Sequence, residues 1–288
     1  VAIQANGSFS IFALENNAFK EFSMFKKIAL ASALAASAAF ATWDFYPVLD
    51  GGKGSVKGGL YYDWDHQWSQ AGLELGIRYS VVQNLELSLQ GWGYQFWGEW
   101  DCKGCVEGGD GLRDMTVGIR YQFDPMVNMF LDLRLPIGND DKDYNALPSE
   151  TTPPSSDEVA IYLGAQFSMK VKEAPGLKFG TEGGLDWGFE HDKYERGLDL
   201  HIGGEIGYTV PNTEITPFFG LQVKYRLSNS SYDGSNQGDR GDKQVNLWLG
   251  ADAFVIPNQL DLVGKLIVRS GRIGGDATGI YAGAEFFF

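Results

Sequence analysis

Met115-Thr-Val-Gly-Ile-Arg-Tyr-Gln-Phe123 is the stretch on which the fold turns, because every second residue in it is apolar. Side chains of an extended strand point alternately to opposite faces. Met115, Val117, Ile119, Tyr121 and Phe123 therefore share one face, and Thr116, Gly118, Arg120 and Gln122 the other. A helix would space its apolar residues by three and four instead. The same period of two runs through Val159, Ile161, Leu163, Ala165, Phe167 and Met169, and again from Leu198 to Val210. Between 177 and 190, Leu177, Phe179, Leu185, Trp187 and Phe189 stand opposite Gly180, Glu182, Gly184, Asp186, Gly188 and Glu190.

Working outward, twelve such segments can be marked: 54–64, 70–80, 85–97, 112–123, 128–137, 158–170, 177–190, 198–210, 215–227, 244–256, 260–270 and 278–288. Tight turns at 81–84, 124–127, 171–176, 211–214 and 257–259 alternate with longer polar links at 98–111, 138–157, 191–197, 228–243 and 271–277. Strands of this length suit a tilted membrane crossing better than the roughly 5–6 residues of an ordinary soluble strand. The expected fold is all-β: a closed antiparallel transmembrane β-barrel of about twelve strands, with short periplasmic turns and longer extracellular loops. A soluble sandwich also alternates, but its polar face would meet water and favour Lys, Glu and Thr. Here that face is glycine with scattered charge.

Aromatic residues gather at strand ends (Tyr79, Trp97, Tyr121, Phe123, Trp187, Phe189, Tyr208, Tyr225), as an interfacial girdle requires. The last segment places Ile280, Phe286 and Phe288 on one face. A terminal aromatic strand of this form resembles the signal read by the bacterial barrel-assembly machinery, an expected partner during biogenesis. Outer-membrane lipid would cover the apolar faces.

The amino-terminal part reads separately. Met24-Phe-Lys-Lys27 is a short cationic start, Ile28 to Phe40 is apolar, and Ala39-Phe40-Ala41 offers small residues at a cleavage site. This is the pattern of a secretory signal peptide, and the apolar run is shorter than the roughly 20 residues of a helical span. Residues 24–41 are thus expected to be a signal peptide, 1–23 a non-native upstream leader, and 42–288 the barrel.

The chain has 288 residues, 38 of them glycine, and a formal net charge of −14. That balance argues against nucleic acid as a partner, which would call for a basic stripe. Two cysteines and three histidines leave no disulfide scaffold and no evident metal site, and no cofactor is expected. Cys102 and Cys105 in Cys-Lys-Gly-Cys are expected to form a local disulfide in an oxidising envelope. The acidic link from Gly138 to Asp157 lacks a calcium-loop pattern and reads as a solvated loop.

Alternation points Arg78, Glu86, Asp114 and Glu285 inward, together with the candidate pore-lining residues Arg120, Asp132, Arg134, Glu182, Asp186, Glu205, Lys224, Arg226, Asp252, Lys265 and Arg269. Charges on the lipid side would be costly, so these belong to the interior. Two readings stay open. Opposed charged walls can guide small solutes passively through a narrow channel, or interior ion pairs can fill a plugged structural or adhesion barrel. A lipid hydrolase is a third class, with His191 and Ser270 each near a rim, but no nucleophile motif joins them.

Two motifs carry a family resemblance: Gly111-Leu-Arg-Asp-Met-Thr-Val-Gly-Ile-Arg-Tyr-Gln-Phe123, and Leu133-Arg-Leu-Pro-Ile-Gly-Asn-Asp140. Together they resemble the bacterial outer-membrane barrels of the MetA-pathway of phenol degradation family. The resemblance implies an outer-membrane barrel that moves small, aromatic or hydrophobic compounds inward. It transfers no functional residue.

Overall fold

The computed structural model describes residues 47–66, 68–100, 110–138, 154–191, 193–273 and 275–288, with the backbone alone at 68 and 98–100. The expected leader and signal peptide, Cys102 and Cys105 with their expected disulfide, and most of the acidic link fall outside the described residues. Twelve long strands make up the wall: β1 (Gly54–Trp64), β2 (Trp68–Val82), β3 (Leu85–Trp100), β4 (Met115–Asp124), β5 (Val127–Leu135), β6 (Ala160–Lys170), β7 (Leu177–Gly188), β8 (Asp199–Tyr208), β9 (Ile215–Arg226), β10 (Lys243–Ile256), β11 (Leu260–Gly271) and β12 (Ala277–Phe287). Each pairs antiparallel with its neighbours in chain order, and β12 returns to β1 in register from Ser55 opposite Phe287 to Trp64 opposite Thr278. The sheet closes on itself. A closed sheet leaves no unpaired backbone edge, the condition for crossing hydrocarbon with strands.

The period of two does the sorting. Across the middle of the wall, the described outward side chains carry no charge, Lys243 beside Tyr225 at the loop end of β10 being the exception at the rim, and large apolar residues there stand open, Leu60 and Leu249 being 57% and 59% exposed. Lipid is what covers them. Inside, the usual rule of burial is inverted. Arg78, Glu86, Arg120, Asp132, Glu182, Asp186 and Asp199 are buried, while Phe130, Tyr162 and Phe218 are among the few large buried apolar side chains.

The girdle divides into two rings. Tyr79, Tyr121, Phe123 and Tyr208 lie near the short turns, and Trp97, Trp187, Phe189 and Tyr225 toward the long loops, all exposed on the outer face. Asn84, Asn212 and Asn258 hold positive φ of 70°, 61° and 57° in three of the short turns. Asparagine tolerates that left-handed conformation better than most side chains.

Three features depart from the sequence expectation. β3 continues to Trp100 instead of stopping at 97, and the two-residue strand Gly111–Leu112 pairs back onto it. The pairing of β2 with β3 shifts register between Leu75 and Ile77, beside Gly91 at φ 73°. Such a bulge restarts the alternation and turns Trp92 outward. Finally, Tyr194–Glu195, Ser231–Tyr232 and Ser235–Asn236 form a small separate sheet among the long loops.

Candidate functional site

The lumen is where polar chemistry concentrates, and it is organised in tiers. Near the short turns, Arg78 on β2 donates from Nε to Ser55 Oγ at 3.1 Å and lies 3.4 Å from Glu285 and 3.9 Å from Glu86. Arg120 on β4 continues the chain, 3.9 Å from both Glu86 and Asp132. These side chains are almost fully buried, so each charge depends on the others for compensation. The segment before β1 joins them: the Leu49 amide donates to Glu86 Oε2 at 3.0 Å, which brings the chain into the periplasmic mouth.

The middle tier is built from hydrogen bonds. Glu182 accepts from Tyr162 Oη at 2.5 Å and from Gln166 Nε2 at 2.6 Å. Trp248 Nε1 donates to Glu205 at 2.6 Å, and Asn246 donates to Gln222. His201 stacks on Tyr162 with centroids 4.9 Å apart, and its strand neighbour across the ladder is Lys224.

At the extracellular mouth a guanidinium from outside the strands takes over. Arg196, on the loop between β7 and β8, reaches Asp186 at 2.7 Å, Glu158 at 2.9 Å and Asp199 at 3.0 Å. Burial works against its charge, but the three carboxylates outweigh that and hold its pKa above the ordinary arginine value. Arg226 grips Asp199 in a two-pronged pair, 2.8 and 3.0 Å, and Asp239 of the next loop at 2.6 Å. Burial disfavours the charge of Asp239, yet hydrogen bonds from Ser230 and Arg226 prevail and lower its pKa. Outside this cluster His191 pairs with Asp157.

The remaining wall is different. On the β11–β12–β1–β2 side Arg269 meets Asp63 at 3.1 Å, and Gln70 donates to the same carboxylate. From β9 round to β1, aromatic rings sit over glycines of neighbouring strands. A Cβ at Gly220 would stand 2.2 Å from Trp248, one at Gly250 2.5 Å from Phe218, and one at Gly59 2.3 Å from Tyr281. Lys265 sits over the Phe218 and Tyr281 rings, 5.6 and 5.9 Å from their centroids. Because glycine has no side chain, the rings press into the wall and do not project across the lumen.

Among the described residues, two cavities bear on the lumen. One of about 180 Å³ lies in the extracellular half, lined by Glu74, Gln90, Thr116, Asp132, Arg134 and Tyr162 among others. A larger one, about 320 Å³, opens at the periplasmic end beside Lys178 and Glu205.

All eleven inward candidates therefore face the interior. Arg120, Asp132, Arg134 and Asp186 come together across β4 to β7, with Arg134 3.6 Å from Asp186. Asp252 pairs with Lys178 at 3.5 Å. Arg226 and Arg269 do not stand as an open cationic wall, since Asp199 on the adjacent strand and Asp63, two strands along, compensate them. His191 and Ser270 belong to parts of the wall separated by β9 and β10 and are not neighbours. Sequence reasoning missed Arg196 and Asp239, because loop residues carry no alternation to say where they point. The one available signal was an arginine set among the acidic residues Glu190, Asp192, Glu195 and Asp199.

Comparison with known proteins agrees with this architecture. The outer membrane channel from Pseudomonas putida F1 superposes with a TM-score of 0.67 at 14% identity, over 86% of this chain and 100% of that one. The translocator domain of the autotransporter NalP from Neisseria meningitidis gives 0.55 at 14% identity, over 94% and 97%. At such identities the likeness is one of fold. No curated protein matches the chain at a significant level. The family model described as "Putative MetA-pathway of phenol degradation" matches residues 37–267. With that match over most of its length, on a closed barrel belted in apolar residues, the chain belongs to this family and is an outer-membrane β-barrel.

Proposed function

We propose that the barrel is a passive channel for small solutes, with ring-bearing or otherwise apolar compounds as its preferred cargo. The observation that carries this reading is the wall of Trp248, Phe218 and Tyr281, each lying on a glycine. Rings seated over glycines leave room in the bore and offer a passing ring an aromatic surface, since aromatic pairs favour offset contact. The family description concerns phenol degradation, and the P. putida barrel of similar fold is itself a channel; both lean the same way.

Nothing in this reading calls for catalysis: the polar groups of the lumen are engaged with one another, not arranged around an attacking nucleophile. The competing reading, a filled barrel, draws on the bond from Leu49 to Glu86 and on the Arg196 cluster, which narrow the two mouths. Osmotic swelling separates them. Vesicles carrying the refolded protein should swell in isotonic solutions of small neutral solutes such as glycine or xylose, at rates that fall with solute size. Swelling no faster than in protein-free vesicles would favour the filled barrel.

A further inference from the structure

The periplasmic cavity of about 320 Å³ has a composition unlike the rest of the lumen. Pro47, ahead of β1, and Pro125 and Met126 of the turn after β4 give it an apolar floor. Lys170, Lys172 and Lys178 stand around that floor. Lys178 is shared with Asp252 at 3.5 Å, whereas Lys170 and Lys172 are exposed at the end of β6 and in the following turn. Glu205 is the one carboxylate in the lining, and it accepts the indole N–H of Trp248 at 2.6 Å. In a chain of net charge −14, three lysines around an apolar floor form a local reversal of sign.

We propose that this cavity is a binding site for a small ring-bearing organic anion, the ring on the proline and methionine floor and the anionic head among Lys170, Lys172 and Lys178. Its volume is at the small end of ligand pockets, which run from about 300 to 1,000 Å³, and accommodates one substituted ring. The lysines supply long-range attraction and flexible charge-assisted hydrogen bonds, and the apolar floor supplies the contact area. The proposal rests on the channel reading in one respect: it makes the cavity the last station before release into the periplasm. The three lysines attract an anion to this end of the lumen, and exposure of Lys170 and Lys172 to water keeps the hold weak enough for release.

The test uses benzenesulfonate, a ring with a permanent negative charge, titrated into protein refolded in phosphatidylcholine nanodiscs and labelled with ¹³C in its methionine methyl groups. Met126 lines the cavity, while Met115 and Met129 occupy outward strand positions and serve as references. Benzenesulfonate should shift Met126 saturably and leave the references still, and benzyltrimethylammonium should leave all three unshifted. Lys170→Ala with Lys172→Ala should weaken binding at least fivefold without altering the ligand-free spectrum, which also reports that the variant is folded. Equal response to the cation, unchanged affinity in the variant, or the absence of a saturable shift would overturn the site. If phosphatidylglycerol in the nanodisc reproduces the shifts without benzenesulfonate, the cavity holds a lipid head group and the solute proposal fails. A barrel that swells vesicles but ignores benzenesulfonate loses this site and keeps its channel; one that binds it without permitting swelling does the reverse.

Discussion

Arg196 lies 2.7 Å from Asp186, and so ties an extracellular loop to the inside of β7. With Glu158 and Asp199 on the same guanidinium, one residue pins three stretches of chain at the mouth.

Arg196→Ala should release that mouth. Removing one member of a buried charged cluster typically costs about 3–5 kcal/mol, and access of water from the extracellular side reduces the figure here. The barrel should survive, since the closed backbone ladder does not depend on the loop. Limited proteolysis should show faster cleavage within 189–198, and conductance should rise. Unchanged proteolysis would mean that the loop is held by something else.

The ring-on-glycine wall makes an opposite forecast. Gly220→Ala places a methyl 2.2 Å from where Trp248 now lies, so the indole must swing into the lumen and surrender its bond to Glu205. Overpacking of this kind costs about 1–3 kcal/mol. The urea midpoint for unfolding from micelles should fall and pore conductance should drop with it. Trp248→Ala in the same background should restore conductance, which separates obstruction from general damage.

How much of this was legible beforehand depends on whether periodicity spoke. Met115 to Phe123 and Leu177 to Gly188 announced strands because lipid and lumen impose opposite demands on adjacent residues, and the observed strand ends differ from the expected ones by a few residues. The inward direction of Glu182, Arg226 and Arg269 followed from the same rule. Their partners did not, because pairing depends on register between strands. Arg78 and Glu285 meet only because β12 returns to β1. Arg196 was out of reach for a different reason: a loop side chain is placed by tertiary contacts alone. The ring-on-glycine wall lies between these cases. Glycine was visible on the inner face, but which ring covers which glycine is again a matter of register, as with Phe218 opposite Gly250.

Acid should loosen the loop clamp only at low pH. Asp239 has a depressed pKa in the folded protein, so its pairing with Arg226 contributes in full above the ordinary aspartate value of about 3.9 and is lost as the pH falls through the lower folded value. Protection of residues 228–242 from proteolysis should therefore be the same at pH 7 and pH 5. Asp239→Asn should reduce it at both. Protection that declined between pH 7 and 5 in the parent protein would point to another titrating group.

Phe288 offers a test of the expected assembly signal. Phe288 exchanges backbone hydrogen bonds with Gly54 at 2.9 and 3.0 Å, closing the seam between β12 and β1, and its side chain is exposed on the outer face. Deleting Phe288 should lower the amount of barrel recovered from outer membranes severalfold, while refolding of the purified chain into micelles should still give a heat-modifiable band. Loss of both would assign Phe288 to stability alone; loss of neither would remove it from the assembly signal.

The central claim, that the lumen is a passive route, is tested most directly by single-channel recording of the refolded mature protein in a planar bilayer. Steady, low-conductance ion steps, larger in Arg196→Ala and smaller in Gly220→Ala, are the predicted result. A silent bilayer at every voltage, for the parent protein and for Arg196→Ala alike, would contradict it.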